Sequence, residues 1–251
     1  MYDEDDELTL LIKDEIESPL DRLELIDAES VPKPDPEEML LLLESADSNH
    51  RMLAARAFCD VQDERAIPHL IRLLNDHCPL VRVSAAYGLG RNPSHDAVEP
   101  LIAQCNSDWN GYVRKGAVWA LGNCRDRRTL PTLIDALKTD ISAVRLWAAS
   151  SLAQMVSVDY DSVIAAIPPL IEVMRRDPIA AVRSNCAWSV GLLCRELPSN
   201  VVYATAIDAL LETIVEDEDL GVREDARASL LRVGDPRGLQ LIEDLEQEGF
   251  L

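Results

Sequence analysis

The chain has 251 residues, a net charge of −21 and an isoelectric point near 4.5. This excess of carboxylates argues against a nucleic-acid-binding protein, because affinity for a phosphate backbone depends on Lys and Arg side chains that displace counterions. The low aromatic content of 4% favours helices over a β-sandwich or barrel. No apolar run approaches the roughly 18 residues of a membrane helix, and the acidic N-terminus is unlike a basic signal or transit peptide. We therefore expect a cytoplasmic protein that does not span the membrane.

The first segment, residues 1–34, is strongly acidic, with 12 acidic and 3 basic residues. Apolar residues recur within it near helical spacing, from Leu8 to Ile26. Two interpretations stay open. The segment is either an amphipathic cap over the first apolar face of the following domain, or an acidic arm that folds against a groove or a basic partner.

A repeated Val-Arg pair dominates the rest of the sequence. Successive arginines of these pairs are 32, 31, 38 and 40 residues apart, and His50-Arg51 occupies the same place one step earlier. A period of about 30 to 40 residues is typical of a helical solenoid. A large apolar residue follows each arginine by seven positions, and small residues follow it by three or four.

Each repeat is predicted to consist of helix A, a tight turn that carries an aspartate, and helix B, which begins near the Val-Arg pair. Several A helices are expected to open near a proline, as at Pro68 and Pro168-Pro169, since the first turn of a helix has N–H groups without helical partners. We expect an all-α, right-handed α-solenoid of about six such hairpins over residues 35–235. A C-terminal cap is expected over residues 236–251.

This pattern resembles HEAT repeats, and specifically the short HEAT-like repeats of phycobilisome lyases and their relatives. The matching stretches are DHCPLVRVSAAYGLG (76–90) and DWNGYVRKGAVWALG (108–122). The resemblance is specific for the fold and much less so for function, because a solenoid of this type carries many roles. In HEAT repeats, aspartate and arginine form a ladder between neighbouring units, which implies a structural role for them here. The predicted ladder residues are Asp76, Arg82, Asp108, Arg114, Asp140, Arg145, Asp177, Arg183, Asp217 and Arg223.

The partner-binding surface is predicted from positions that the repeat does not require. The fifth residue after the repeated arginine is usually polar in the family, yet three repeats have an aromatic residue there: Tyr87, Trp119 and Trp188. Scarce aromatic residues at solvent-facing positions are typical of interface hot spots; burial by helix stacking is the alternative. The complete predicted concave ridge contains Tyr87, Arg91, Trp109, Tyr112, Lys115, Trp119, Asn123, Trp147 and Trp188.

The segment after the third B helix concentrates positive charge in an acidic protein. Its Arg125, Arg127 and Arg128 favour a carboxylate-bearing partner, either an acidic protein surface or a propionate-bearing pigment. The six cysteines include no C-x-x-C pair and no zinc-finger spacing, so no metal site built by this chain alone is expected.

Two classes of function stay open. The stretches PDPEEML (34–40), RMLAARAFCD (51–60) and WNGYVRKGAVWALGNCRDRR (109–128) resemble cyanobacterial HEAT-repeat proteins that interact with an A-type iron–sulfur carrier. That resemblance implies a non-catalytic scaffold in iron–sulfur or iron homeostasis. It has no cofactor of its own, and Cys124, placed in a loop, is the candidate ligand of an iron–sulfur cluster shared with the partner. The alternative is a phycobilin lyase subunit, or a chaperone or adaptor, that binds a linear tetrapyrrole or a phycobiliprotein.

The common catalytic motifs are missing from the sequence. There is no phosphate-binding loop of the G-x-x-x-x-G-K-[ST] type, no H-E-x-x-H and no G-x-S-x-G elbow. HEAT-like iron hydroxylases use repeated His-Glu dyads, but none of the four histidines here precedes a glutamate. We therefore predict no catalytic residue, and an enzymatic role only as a phycobilin lyase.

Overall fold

The computed structural model describes residues 34–248, and within that range the chain folds into thirteen α-helices without a strand. The prediction of an all-α solenoid is confirmed. The predicted acidic segment lies outside the described residues, apart from its last residue, Pro34. The final three residues of the predicted C-terminal cap also lie outside them.

The helices form six consecutive A–B hairpins and one additional C-terminal helix. The A helices are α1 (Pro36–Leu42), α3 (Ile67–Leu73), α5 (Val98–Ser107), α7 (Leu130–Thr139), α9 (Tyr160–Arg176) and α11 (Val201–Glu216). The B helices are α2 (Ser48–Ala57), α4 (Pro79–Arg91), α6 (Gly111–Cys124), α8 (Ser142–Ala153), α10 (Ala180–Cys194) and α12 (Leu220–Val233). The last helix is α13 (Pro236–Gln247).

Proline has two different places in the A helices. Pro68 lies in the first turn of α3, where its missing N–H costs nothing. Pro168 and Pro169, however, lie in the middle of α9, so the expectation that they open this helix is wrong. The helix begins at Tyr160, and the side chain of Asp159 caps it by accepting a hydrogen bond from the backbone N–H of Ser162.

The unequal repeat spacing comes from the A helices. Helices α9 and α11 have 17 and 16 residues, whereas α5 and α7 have 10 each. The B helices of the last two repeats, with 15 and 14 residues, are about as long as the 14-residue α6. The extra residues of the two longest repeats therefore extend the A side of the solenoid.

The core is repeated along with the helices. The apolar residue seven positions after each arginine is fully buried in all six repeats: Phe58, Leu89, Leu121, Leu152, Val190 and Leu230. Consecutive B helices touch at small residues, because a Cβ added to Gly122 would lie 2.9 Å from the Cα of Ser151. This close approach keeps the B helices side by side and presents their opposite faces as one surface.

Candidate binding site

Five arginine–aspartate ion pairs join neighbouring repeats. In each pair the arginine Nε donates to a carboxylate oxygen of the aspartate in the next repeat, over 2.6 to 2.8 Å. The pairs are Arg51–Asp76, Arg82–Asp108, Arg114–Asp140, Arg145–Asp177 and Arg183–Asp217. These residues lie between stacked hairpins, so their geometry fits a structural ladder better than a catalytic group.

The Arg82 rung illustrates the bonding of the ladder. A second nitrogen of Arg82, Nη1, donates to the backbone carbonyl of Asp76 over 2.9 Å, which ties the turn of its own repeat to the next one. Burial alone would raise the pKa of the Asp108 carboxyl. Hydrogen bonds from Arg82 and from the backbone N–H of Asn110 outweigh it and hold that pKa below its usual range.

The two ends of the ladder differ from the prediction. The first rung uses Arg51, which was not among the predicted ladder residues. Arg223, which was among them, makes no ion pair within the described residues, and its buried Nε has no hydrogen-bond partner there. Within residues 34–248, α13 is a single helix, so this part of the chain has no further A–B turn that could supply an aspartate to Arg223.

We define the B-helix face as the surface formed by the fifth residue after each repeated arginine. Its aromatic members, Tyr87, Trp119 and Trp188, are half-buried, as is Trp147 nearby. The six residues of this face in chain order are Arg56, Tyr87, Trp119, Ser150, Trp188 and Ala228. The aromatic rings therefore pack against the helices on one side and present their other side to solvent.

Tyr87 and Trp119 form one continuous aromatic surface across α4 and α6. Their ring centroids are 5.4 Å apart, with the planes inclined by 46°. The guanidinium carbon of Arg91 lies 5.7 Å from the centroid of a Trp119 ring, in cation–π geometry. Gly90 makes room for the indole, because a Cβ at this position would collide with the Trp119 ring.

The other members of the predicted ridge divide between the surroundings of Trp119, those of Trp147 and a separate depression at Trp188. Lys115 covers Trp147, with its Nζ 5.5 Å from a ring centroid, and the side-chain amide of Asn123 donates to the backbone carbonyl of Gly90. Trp188 lines a separate depression of about 490 Å³ together with Ser150, Asn185 and Asp225. Asp225 was not predicted, because only the fold brings α12 beside α10.

Trp109 and Tyr112 stand at the beginning of α6. Trp109 lies in the turn before the helix, 76% exposed, and its ring covers the guanidinium of Arg82 at 5.9 Å. Tyr112 is 68% exposed and precedes Trp119 by seven residues, so both lie on the same helical stripe. Trp109 therefore belongs to the turn edge of the solenoid, apart from the B-helix face.

A depression of about 610 Å³ lies beside Trp119, at the ends of α4 and α6. It brings together several residues of the predicted ridge and the predicted basic segment. The lining residues are Gln62, Gly90, Arg91, Pro93, Ser94, His95, Trp119, Asn123, Cys124 and Arg125. Gln62 and His95 were missed from the sequence because both precede A helices and carry no repeat signal.

In the predicted basic segment, Arg127 and Arg128 have acidic partners, whereas Arg125 has none within the described residues. Arg128 binds Asp126 over 2.7 Å and Glu99 over 3.1 Å, and Arg127 lies 3.9 Å from Asp159. The Arg128 guanidinium holds the pKa of the Asp126 carboxyl at about 2. Arg125, in contrast, is exposed and makes no ion pair within the described residues.

Cys124 is the last residue of α6, so its predicted position in a loop is wrong. It is half-buried, and its Sγ lies 3.8 Å from the backbone carbonyl of Ser94. Burial raises the pKa of this thiol to about 11, which disfavours the thiolate that a metal ligand requires. Within residues 34–248, no group of three or more His, Cys, Asp or Glu side chains is arranged to hold a metal ion.

None of the described helices is long and apolar enough to cross a membrane.

Comparison with known families identifies the repeats. Residues 36–121, 98–191 and 167–249 each match the HEAT repeat family. The chain therefore belongs to the HEAT-repeat family, a class of helical solenoids.

The chain is also similar to individual proteins of known name. It is 28% identical over 226 residues to the phycocyanobilin lyase subunit alpha of Nostoc sp., a match that covers 82% of this chain and 77% of that protein. The CpcE–CpcF complex of phycocyanin lyase from Nostoc sp. has a chain of the same fold, with a TM-score of 0.59 and 24% identity over 88% of this chain and 85% of that one. A designed armadillo repeat protein in complex with the peptide (KR)4 has the same fold, with a TM-score of 0.59, 18% identity and coverage of 80% of this chain and all of that one.

Proposed function

We propose that this chain is a binding subunit of the phycobilin-lyase type, whose B-helix face holds a linear tetrapyrrole. The observation that supports this function most directly is a series of half-buried aromatic residues at solvent-facing repeat positions: Tyr87, Trp119 and Trp188. Their flat rings offer stacking surfaces to a conjugated pigment, and the cations Arg91 and Lys115 lie beside two of the tryptophans. The similarity to the phycocyanobilin lyase subunit supports this function over the iron–sulfur scaffold.

The proposal assigns no catalytic residue to this chain. The ion-paired aspartates and arginines are used five times in equivalent places, whereas an active site is needed once. The subunit therefore holds and orients the pigment, and a phycobiliprotein supplies the cysteine that accepts it. We expect a second subunit as its partner, since the similar phycocyanin lyase is a complex of two chains, CpcE and CpcF.

A pigment titration tests the proposal. Phycocyanobilin is added to the full chain, and binding is followed by visible absorption and by quenching of tryptophan fluorescence. We expect the double variant Trp119→Ala/Trp188→Ala to bind at least tenfold more weakly, because the stacking surfaces are removed. Trp109→Ala is the matched control, since it deletes a more exposed indole at the turn edge. Its affinity should stay within twofold of the native value.

Two results would count against pigment binding on the B-helix face. One is an unchanged affinity in the double variant when circular dichroism shows native helicity. The other is recovery of an A-type iron–sulfur carrier, without phycobiliprotein subunits, when the chain is used as bait in a cyanobacterial lysate. That carrier, and a cluster shared through Cys124, stay predictions from the sequence. Enrichment of phycobiliprotein subunits that is lost in the double variant would support the proposal.

A further inference from the structure

The depression beside Trp119 is lined by arginines and by no carboxylate, although the chain is strongly acidic. The chain contains 45 acidic residues, yet none of the side chains that line this depression is a carboxylate. Two exposed arginines line it instead, Arg91 at the end of α4 and Arg125 after α6. Neither has a carboxylate within 4.0 Å among residues 34–248. Arg91 also lines an adjoining depression with Asp63, Glu64 and Asp96, so what the depression beside Trp119 presents to a ligand is two arginines without ion pairs.

The backbone of Arg125 gives an independent reason to assign it a role. Its φ angle is +49°, in the left-handed region, and it is the one residue other than glycine with a positive φ in the described chain. A glycine is the usual residue after a helix in this conformation, and this chain uses one, Gly234, after α12. An arginine in the left-handed region costs conformational energy that glycine avoids. Such strain is found most often where a side chain serves function.

The surroundings of the two arginines define what they can bind. The Trp119 indole forms an apolar wall under Arg91, and the hydroxyl of Ser94 and the amide of Gln62 lie around the same depression. Guanidinium groups bind carboxylates through paired, charge-assisted hydrogen bonds. An apolar wall beside them suits the methylene groups of a glutamate side chain.

We propose that Arg91 and Arg125 bind an acidic side chain, a glutamate or aspartate, of a partner polypeptide that lies along the B-helix face. Trp119 belongs both to this face and to the depression, so a segment in contact with the aromatic surface reaches the two arginines with its side chains. This inference rests on the proposed function, because both place the bound partner on the B-helix face. The acidic side chain then belongs to the protein that receives or delivers the pigment.

Hexaglutamate is a suitable probe, because the net charge of −21 disfavours non-specific binding of a polyanion. The peptide is titrated into the full chain at low ionic strength, and the indole N–H of Trp119 is followed by nuclear magnetic resonance. We expect a saturable shift of this signal, with a dissociation constant of about 1 mM or lower. Added salt should weaken the binding, as it does for exposed charges.

The variants Arg91→Ala and Arg125→Gly separate binding from folding. Arg125→Gly relieves the left-handed strain, so its melting temperature should equal or exceed the native value while hexaglutamate binds more weakly. The double variant should bind at least tenfold more weakly. Arg195→Ala is the matched control, because Arg195 is an exposed arginine directly after helix α10 in ordinary right-handed geometry, and it should change the affinity less than twofold.

Three outcomes would overturn the carboxylate site: no shift of the Trp119 indole with hexaglutamate, native affinity in the double variant, or an equal loss of affinity in Arg195→Ala. Because hexaglutamate contains no pigment, these outcomes are independent of the phycocyanobilin titration. A carboxylate site without pigment binding would overturn the proposed function alone, and pigment binding without hexaglutamate binding would overturn this inference alone.

Discussion

Arg82 and Asp108 are 26 residues apart in sequence, and in the fold the Nε of Arg82 donates to the Oδ2 of Asp108 over 2.7 Å. A second nitrogen, Nη2, donates to the other carboxylate oxygen over 3.0 Å. Both side chains are almost fully buried, with exposures of 8% for Arg82 and 2% for Asp108. The pair is thus a bidentate salt bridge between the second and third repeats.

Removing one partner of this bridge should destabilise the protein strongly. Arg82→Ala leaves a buried carboxylate without its counter-charge, so we expect the free energy of unfolding to fall by about 3 kcal/mol. Arg114→Ala removes a more exposed rung and should cost about 1–3 kcal/mol. Urea denaturation monitored by circular dichroism measures both. Arg175→Ala is the control, because its pair with Glu212 is exposed, and it should cost at most about 1 kcal/mol. A cost for Arg82→Ala no greater than that of the control would show that the ladder does not carry stability.

The ladder should also make stability dependent on pH. Hydrogen bonds from arginine hold the pKa values of Asp108 and Asp177 below their usual range, against the opposing effect of burial. A carboxyl whose pKa is lowered by folding stabilises the protein fully above its unfolded pKa of about 3.9. This contribution is lost as the pH falls through the lower pKa of the folded state. We therefore expect the free energy of unfolding to decrease between about pH 5 and pH 2.

Asp108→Asn isolates the part of this pH dependence that belongs to one rung. The amide cannot titrate, so urea denaturation at pH 6, 4 and 3 should show a smaller decrease in stability on acidification than in the native protein. An identical acid sensitivity in both proteins would assign the pH dependence to other carboxyl groups.

Gly90→Ala should disturb the aromatic surface. The added methyl group would collide with the Trp119 ring, which lies directly over Gly90. We expect the indole to move away from Tyr87, with a changed near-ultraviolet circular dichroism spectrum and a loss of stability of about 1–3 kcal/mol. Gly221→Ala is the control, because this exposed position in α12 is far from the aromatic rings, and the nearest atom is the Oδ1 with which Asp219 caps the helix. It should preserve the spectrum and cost less stability than Gly90→Ala. An unchanged spectrum in Gly90→Ala would show that the indole is not confined by the backbone of α4.

The sequence period was sufficient to predict the fold. Val-Arg pairs and buried residues such as Phe58 and Leu230 recur at fixed offsets, because each hairpin must bury the same face against its neighbours. The period could not predict how an individual repeat is enlarged. Pro168 and Pro169 lie inside α9 because this helix begins at Tyr160, well before them, and a proline alone does not indicate how much helix precedes it.

The candidate site was only partly accessible from the sequence. The fifth repeat position correctly drew attention to half-buried aromatic residues, since helical spacing fixes which side chains share a face. The pairing of charges was not accessible, because it depends on contacts between repeats. Arg125 and Arg128 are close neighbours in sequence, yet Arg128 binds Glu99 of α5, in the hairpin before it, and Arg125 has no ion pair in the part of the chain that the structure describes.

The ladder also determines how the solenoid carries a mechanical load. Each paired guanidinium joins the turn of its own repeat to the carboxylate of the next, so tension applied along the axis is carried from repeat to repeat by successive rungs as well as by the backbone. The final hairpin, α11–α12, receives a ladder rung from Arg183, but Arg223 supplies none to α13 among the described residues; α13 is held instead by the partly exposed pairs Arg237–Asp208 and Arg227–Glu246. Under a pulling force α13 should therefore detach before the inner hairpins, which would then yield one by one, each giving a separate peak in the force–extension curve.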